Sequence, residues 1–155
     1  MLNARTIRAH ANSEHGFTLV ELLVVILIIG ILAAIAIPAL LTQKSKATDA
    51  SAKELARSAA QAAETYSTDH NGEYTGLTTK VIHEYEPAIQ TAAGGNNAYL
   101  NGEEATKVIE SGKGYEVTAT STNKDTFTFK RTASGEVTRT CHQEASNYGC
   151  PTSSW

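Results

Sequence analysis

The chain has 155 residues, enough for one small domain plus appendages. Charged residues make up only 19% and the formal net charge is −3, so the composition indicates neither a global nucleic-acid binder nor a supercharged chain. The first sixteen residues, MLNARTIRAHANSEHG, are polar and set Arg5 and Arg8 against Glu14. A secretory signal peptide would place its apolar region before the cleavage site and close it with small residues. Here the order is inverted, because the apolar run follows. His10 and His15 read as solvated residues of this polar segment, not as ligands.

The stretch that organises the chain is GFTLVELLVVILIIGILAAIAIPALL, Gly16 to Leu41. From Leu22 to Leu41 no side chain carries a charge or a hydrogen-bonding group. At ~1.5 Å per residue this run makes a helix of ~30 Å, about the hydrocarbon thickness of a bilayer. A buried core helix is the plainer reading, but a run apolar on every side has no face to turn toward water. The expectation is a membrane-compatible helix. Glu21, a single carboxylate at its start, is a functional candidate, since burying an ionisable group in lipid is costly. Gly30 and Pro38 weaken the segment. Proline removes a helix hydrogen bond and crowds the preceding turn, and glycine costs ~1 kcal/mol relative to alanine. A continuous helix with a kink is predicted. Lys44 and Lys46 flank the far end, so the positive-inside rule does not fix orientation by itself.

Gly16-Phe17-Thr18-Leu19-Val20-Glu21 before an apolar run resembles the signature of type IV pilins, with Gly30 and Pro38 at the usual helix-weakening positions. The resemblance is close from Gly16 to Tyr74 and extends beyond that only in general layout. It implies that a prepilin peptidase cuts between Gly16 and Phe17, that the freed Phe17 amine is N-methylated, and that Glu21 helps draw each subunit into a growing filament. The leader, at sixteen residues, is long for the more familiar pilin subclass. The physical account of Glu21 is a charge pair with an N-terminal amine of a neighbouring subunit, in which removing either partner strands the other.

No Gly or Pro interrupts the chain between Ala39 and Asn71, so the helix is expected to continue. Ala52, Leu55, Ala59, Ala62 and Tyr66 mark a narrow apolar stripe suited to close approach of a sheet or another backbone, with Lys53, Arg57, Gln61 and Glu64 off it. Lys44, Lys46, Lys53 and Arg57 could meet headgroups or nucleic acid. A solvated helix face accounts for them more simply, and a nucleic-acid partner is left open without support. Asn71-Gly72 should stop the helix. The exit Tyr66-Ser-Thr-Asp-His-Asn-Gly-Glu-Tyr74 resembles that of pilins and of type II secretion pseudopilins.

Leu77 to Gly102 gives mixed signals and reads as a loop with a short helix or strand. After it, segments beginning at Tyr115, Thr126 and Glu136 alternate between two faces, with turns at Asn123-Lys124-Asp125 and Ser134-Gly135. The expectation is a three-stranded antiparallel meander. Tyr115, Val117, Ala119, Phe127, Phe129 and Val137 would cover the helix stripe, and a threonine-rich face would meet solvent. Downstream of an export-type segment, Cys141 and Cys150 are better read as a disulfide than as free thiols. Their placement resembles the disulfide-bounded loop of type IV pilins, with Asn147 and Tyr148 exposed on it. Such a bridge would contribute about 2.5–3 kcal/mol by chain entropy. Trp155 is either tucked against the sheet or a contact residue, and tucking is favoured.

The fold class is therefore α+β: a long N-terminal α-helix, apolar and then amphipathic, packed against a small antiparallel β-meander. The expected parts are a cleaved leader (1–16), a transmembrane or filament-core helix (17–41), its amphipathic continuation (42–71) and a globular head (72–155). No phosphate loop, His-Glu-x-x-His or Gly-x-Ser-x-Gly is present, and His70, His83 and His142 have no ligand spacing. Neither enzyme, metal nor cofactor is expected. The resemblance implies a homo-oligomeric helical filament, with a prepilin peptidase, an assembly platform and the membrane as partners. The subunit would sit in the membrane before assembly and in an extracellular pilus afterwards, serving adhesion, motility or DNA uptake. A pseudopilin or competence-type pilin is the alternative, and a signal-anchored enzyme or adhesin a more distant one.

Overall fold

The structure, a computed structural model, describes residues 16–95, 97–144, 149–150 and 152–155. The leader up to His15, including His10, lies outside the described residues, as do Asn147 and Tyr148. The chain divides into two compact units, Met1–Pro38 and Ala39–Trp155. Helix α1, Leu19–Asp69, contributes to both and contains Pro38.

In the first unit the large apolar side chains stay in the open, from Val24 at 44% exposure to Phe17 at 86%. Its stretch of α1 is long and apolar enough to cross a membrane.

In the second unit α1 becomes the wall of a core. The buried face is Ala52, Ala56, Ala59, Ala60, Ala62, Ala63 and Tyr66, wider than the expected stripe, with Leu55 only partly buried. Alanines keep the helix surface low, so the sheet can approach the backbone closely. The helix ends with Asn71 and Gly72 both at positive φ, and the Gly72 N–H returns to the Ser67 carbonyl at 2.7 Å. This six-to-one closure satisfies a terminal carbonyl and turns the chain back.

The segment from 77 to 112 carries more structure than its sequence suggested. Helix α2, Thr79–Tyr85, starts on Thr78, whose Oγ1 accepts the Val81 N–H at 3.2 Å, and it buries Ile82. Strands β1, Ala98–Leu100, and β2, Thr106–Ile109, follow, with the 3-10 turn Glu103–Ala105 between them. Then come β3, Gly114–Ser121, β4, Thr126–Arg131, and β5, Val137–His142. The sheet thus has five strands, not three, and every pairing is antiparallel. β1 and β2 share one edge of β3: Leu100 pairs with Ala119 and Thr106 with Val117. β4 lies on the other side of β3, and β5 forms the far edge.

Tyr115, Val117, Ala119 and Phe127 are fully buried on the inner face. At roughly 1.5–3 kcal/mol per large side chain, such residues dominate the cohesion of the head. Val137 departs from expectation. Its register with Arg131 puts it on the inner face, yet it is 44% exposed, because it begins an edge strand. The outer face departs too: Thr120 is buried between its cross-strand neighbours Tyr99 and Thr126. Trp155 is tucked in, its Nε1 donating to the Thr140 carbonyl at 2.9 Å and its ring edge-on to Phe127.

Glu64, expected to be off the buried stripe, is the centre of a polar cluster. It accepts from the Tyr115 hydroxyl at 3.0 Å, the Tyr74 hydroxyl at 3.0 Å and Arg131 at 2.9 Å. Arg131 also donates to the Tyr74 oxygen. Burial and the Glu64 carboxylate push the Tyr115 hydroxyl pKa far up, so it stays a donor at every ordinary pH. Glu64→Ala strands these donors, and a loss of about 1–3 kcal/mol is expected. Chemical unfolding of the detergent-solubilised chain measures it. A midpoint unchanged from wild type would show that water replaces Glu64 without loss.

Candidate functional site

The start of α1 is built by its own sequence. Thr18 precedes the first helical residue, and its Oγ1 accepts the Glu21 N–H at 3.2 Å. Glu21 answers: its Oε2 accepts the Thr18 N–H at 2.9 Å and the Thr18 hydroxyl at 2.8 Å. This is a reciprocal capping box, in which Thr-x-x-Glu satisfies donors that a helix N-terminus otherwise leaves unpaired. The signal is present in the sequence as Thr18-Leu19-Val20-Glu21, and the cap is a role for Glu21 distinct from the assembly role that the resemblance implies. The carboxylate also lies at the positive end of the helix dipole.

Gly16 and Phe17 precede the cap, both exposed, so the peptide bond between them lies on open backbone. Beyond the cap, Leu23, Ile26, Leu27, Gly30, Ile31 and Ala34 line a shallow apolar groove along one face. A Cβ at Gly30 would meet nothing within 4 Å. The glycine therefore serves no close packing within this chain. Pro38 lies inside α1, eight residues further on.

In the head, Cys141 is bonded to Cys150. Next to this bridge a second set of polar groups gathers. Asp49 on α1 is 1% exposed, and its Oδ1 accepts from Asn123 Nδ2 at 3.4 Å. Asn123, in the β3–β4 turn, also donates to Thr48 Oγ1 at 2.6 Å. Asp125, fully buried in the same turn, accepts the Glu144 N–H at 2.8 Å. Asp49 Oδ2 and Ser121 Oγ have no hydrogen-bond partner among the described residues. Gly149 packs directly on the Asp49 carboxylate, where a Cβ would fall 2.2 Å from Oδ2. Helix, hairpin and disulfide-linked segment therefore meet at one acid. No sequence spacing announced this convergence, since its members lie far apart in the chain. Among the described residues no group of three or more His, Cys, Asp or Glu could hold a metal ion.

A long helix with a capped, apolar beginning and an alanine-faced second half against an antiparallel sheet defines a pilin-like α+β protein. Residues 11–37 match the family described as Prokaryotic N-terminal methylation motif. That motif is characteristic of type IV pilins and pseudopilins, and the chain fits a prepilin-like protein. Proteins of this type are structural subunits, and the motif implies prepilin peptidase processing and filament assembly in general terms. With the apolar helix, it fits a membrane-anchored precursor. No curated protein and no solved structure matches the chain.

Burial raises the Asp49 pKa first of all, with nearby Asp125 adding to it and Asn123 and Lys53 opposing. The folded state then holds the Asp49 proton more tightly than the unfolded chain does. Its contribution is present below the ordinary aspartate range and is lost as pH rises through the raised value. Asp49→Asn removes this loss. Thermal melts across pH 3.5 to 7.5, a span of about four units around the ordinary carboxylate range, should show the variant at least as stable as wild type at neutral pH. A variant less stable at neutral pH, with the same pH slope, would contradict it.

Proposed function

We propose that the chain is the subunit of a type IV pilus, polymerised through its N-terminal helix into a surface filament. The observation that carries this reading is the exposed apolar surface of α1 beginning directly after the Thr18–Glu21 cap. In lipid that surface is matched by acyl chains. Outside lipid only other apolar helices can cover it, and identical copies supply them. Residues 1–16 are then the leader, removed between Gly16 and Phe17, and Phe17 is the methylated terminus. Residues 17–41 form the filament core, 42–71 its amphipathic continuation and 72–155 the displayed head.

Glu21 serves twice in this scheme. Both cap contacts use Oε2, which leaves Oε1 to accept from the Phe17 amine of an adjacent copy. Gly30 and Pro38 bracket the stretch expected to loosen when helices pack in the filament. Continuous regular helix there in filament density would argue against this loosening.

The second reading is a pseudopilin, which uses the same helix to build a short secretion piston. The Cys141–Cys150 bridge near the C-terminus favours the pilus. Sheared surface filaments should contain this chain as the dominant subunit, with an intact mass lacking Met1 to Gly16 and carrying one added methyl. Glu21→Val should be processed normally but incorporated poorly, with filament yield down by about tenfold or more for the stranded amine. A mature chain that retained its first sixteen residues would sink the proposal. Short periplasmic assemblies in place of surface filaments would select the pseudopilin.

A further inference from the structure

Arg139 on β5 and Arg57 on α1 converge on Trp155, their guanidinium carbons lying 5.8 and 5.0 Å from its ring centroid. Arg139 also lies 5.5 Å from the centre of Phe129. Two guanidinium groups close to one indole concentrate positive charge there, which favours an anion beside them. The counter-charge at hand is thin. Arg57 reaches Glu54 at 3.5 Å across exposed surface, and no carboxylate pairs with Arg139 among the described residues. The two arginines border a groove of about 260 Å³ also lined by Glu64, itself committed to Arg131 and two tyrosines. The rim therefore presents positive charge on a rigid aromatic base, a setting that takes carboxylates or phosphates through planar, forked hydrogen bonds.

The opposite edge of the same sheet has the opposite sign. Glu103 and Glu104 are exposed on the 3-10 turn between β1 and β2, and Glu84 and Glu86 are exposed at the end of α2, which packs on that turn. Lys80 and Lys107 only partly offset these four carboxylates. β3 and β4 stand between the two edges, so one copy cannot bring them together.

We propose that the groove between Arg57 and Arg139 of one copy, floored by Phe129, receives the Glu103–Glu104 turn of another copy of this chain. Joining two different surfaces makes the contact heterologous, and such a contact repeats without closing and generates a helical array. This inference rests on the filament reading given above and names the surfaces that set the register between heads.

The test uses the full-length chain in cells that process and assemble it, scored by sheared filament yield at equal amounts of disulfide-bonded subunit. Arg57→Glu with Arg139→Glu should lower the yield about tenfold, because like charges then face each other across the contact. Glu103→Arg with Glu104→Arg should do the same. All four changes together should restore most of it, which also shows that the altered heads fold. The contact is overturned if either pair assembles like wild type, or if the fourfold exchange does no better than the pairs. It is likewise overturned if the arginine pair assembles normally but loses binding of single-stranded DNA, which would assign the groove to nucleic acid. In each of those cases wild-type filaments still form and the filament reading stands. Absence of wild-type filaments removes both.

Discussion

The governing constraint is that Leu22 to Leu41 has no side that water can wet. An amphipathic helix can settle on a single partner and expose its other face, but a helix apolar on every side must be surrounded. The described chain offers no surrounding: the large side chains of this stretch are at least 44% exposed. Cover must come from lipid or from other chains. The capping box at Thr18 and Glu21 makes the helix begin cleanly at the point where this demand begins. Polar backbone groups at the helix start are then satisfied before the chain reaches an apolar medium, where each unpaired one would be costly.

The head solves a different problem with the same helix. An alanine face lets the sheet approach closely, but alanines are nearly uniform, and a uniform surface does not say where along it a sheet should sit. Two polar ties remove the ambiguity. At one end Asn123 holds Thr48 and Asp49, and at the other Glu64 holds Tyr74, Tyr115 and Arg131. They are separated by about four turns of helix, so they fix the position of the sheet along it as well as its distance. A buried acid such as Asp49 adds little to stability, but burying an unmatched polar group penalises every other register.

What was legible in the sequence followed from local pattern. The apolar run, the helix stop at Asn71-Gly72 and strands β3 to β5 were visible because side-chain period and turn residues are encoded within a few positions. Strands β1 and β2 were not. β1 has only three residues and β2 only four, and each exists because β3 offers an unpaired edge, which is a tertiary fact. Val137 lies on the expected face but stays exposed, since alternation assigns a face and not the depth of cover over it. The cluster around Glu64 was hidden because an acid half a turn from an apolar stripe looks solvated until partners from distant strands arrive. By contrast, the Thr18–Glu21 cap was written plainly in four residues and was obscured only by the larger resemblance around it.

Energetics separates the roles of the two ends. A Leu or Ile moved from water to an apolar site gains about 1.5–3 kcal/mol, but lipid is already apolar, so transfer from bilayer to a bundle of like helices gains little from hydrophobicity. The greasy helix therefore sets which environments are allowed without setting the direction of transfer between them. On the filament reading, the direction must come from terms that differ between the two states. These are packing between helices, the pairing of Glu21 with an amine, and contacts between heads that are absent while subunits are dispersed. Exposed ion pairs are worth only ~0–1 kcal/mol each, too little to hold two copies together. Repeated along an array and added to helices already confined, the same small terms are enough to choose one register over its neighbours. A helix indifferent to its apolar surroundings, joined to a head with oppositely charged edges, thus divides assembly into permission at one end and selection at the other.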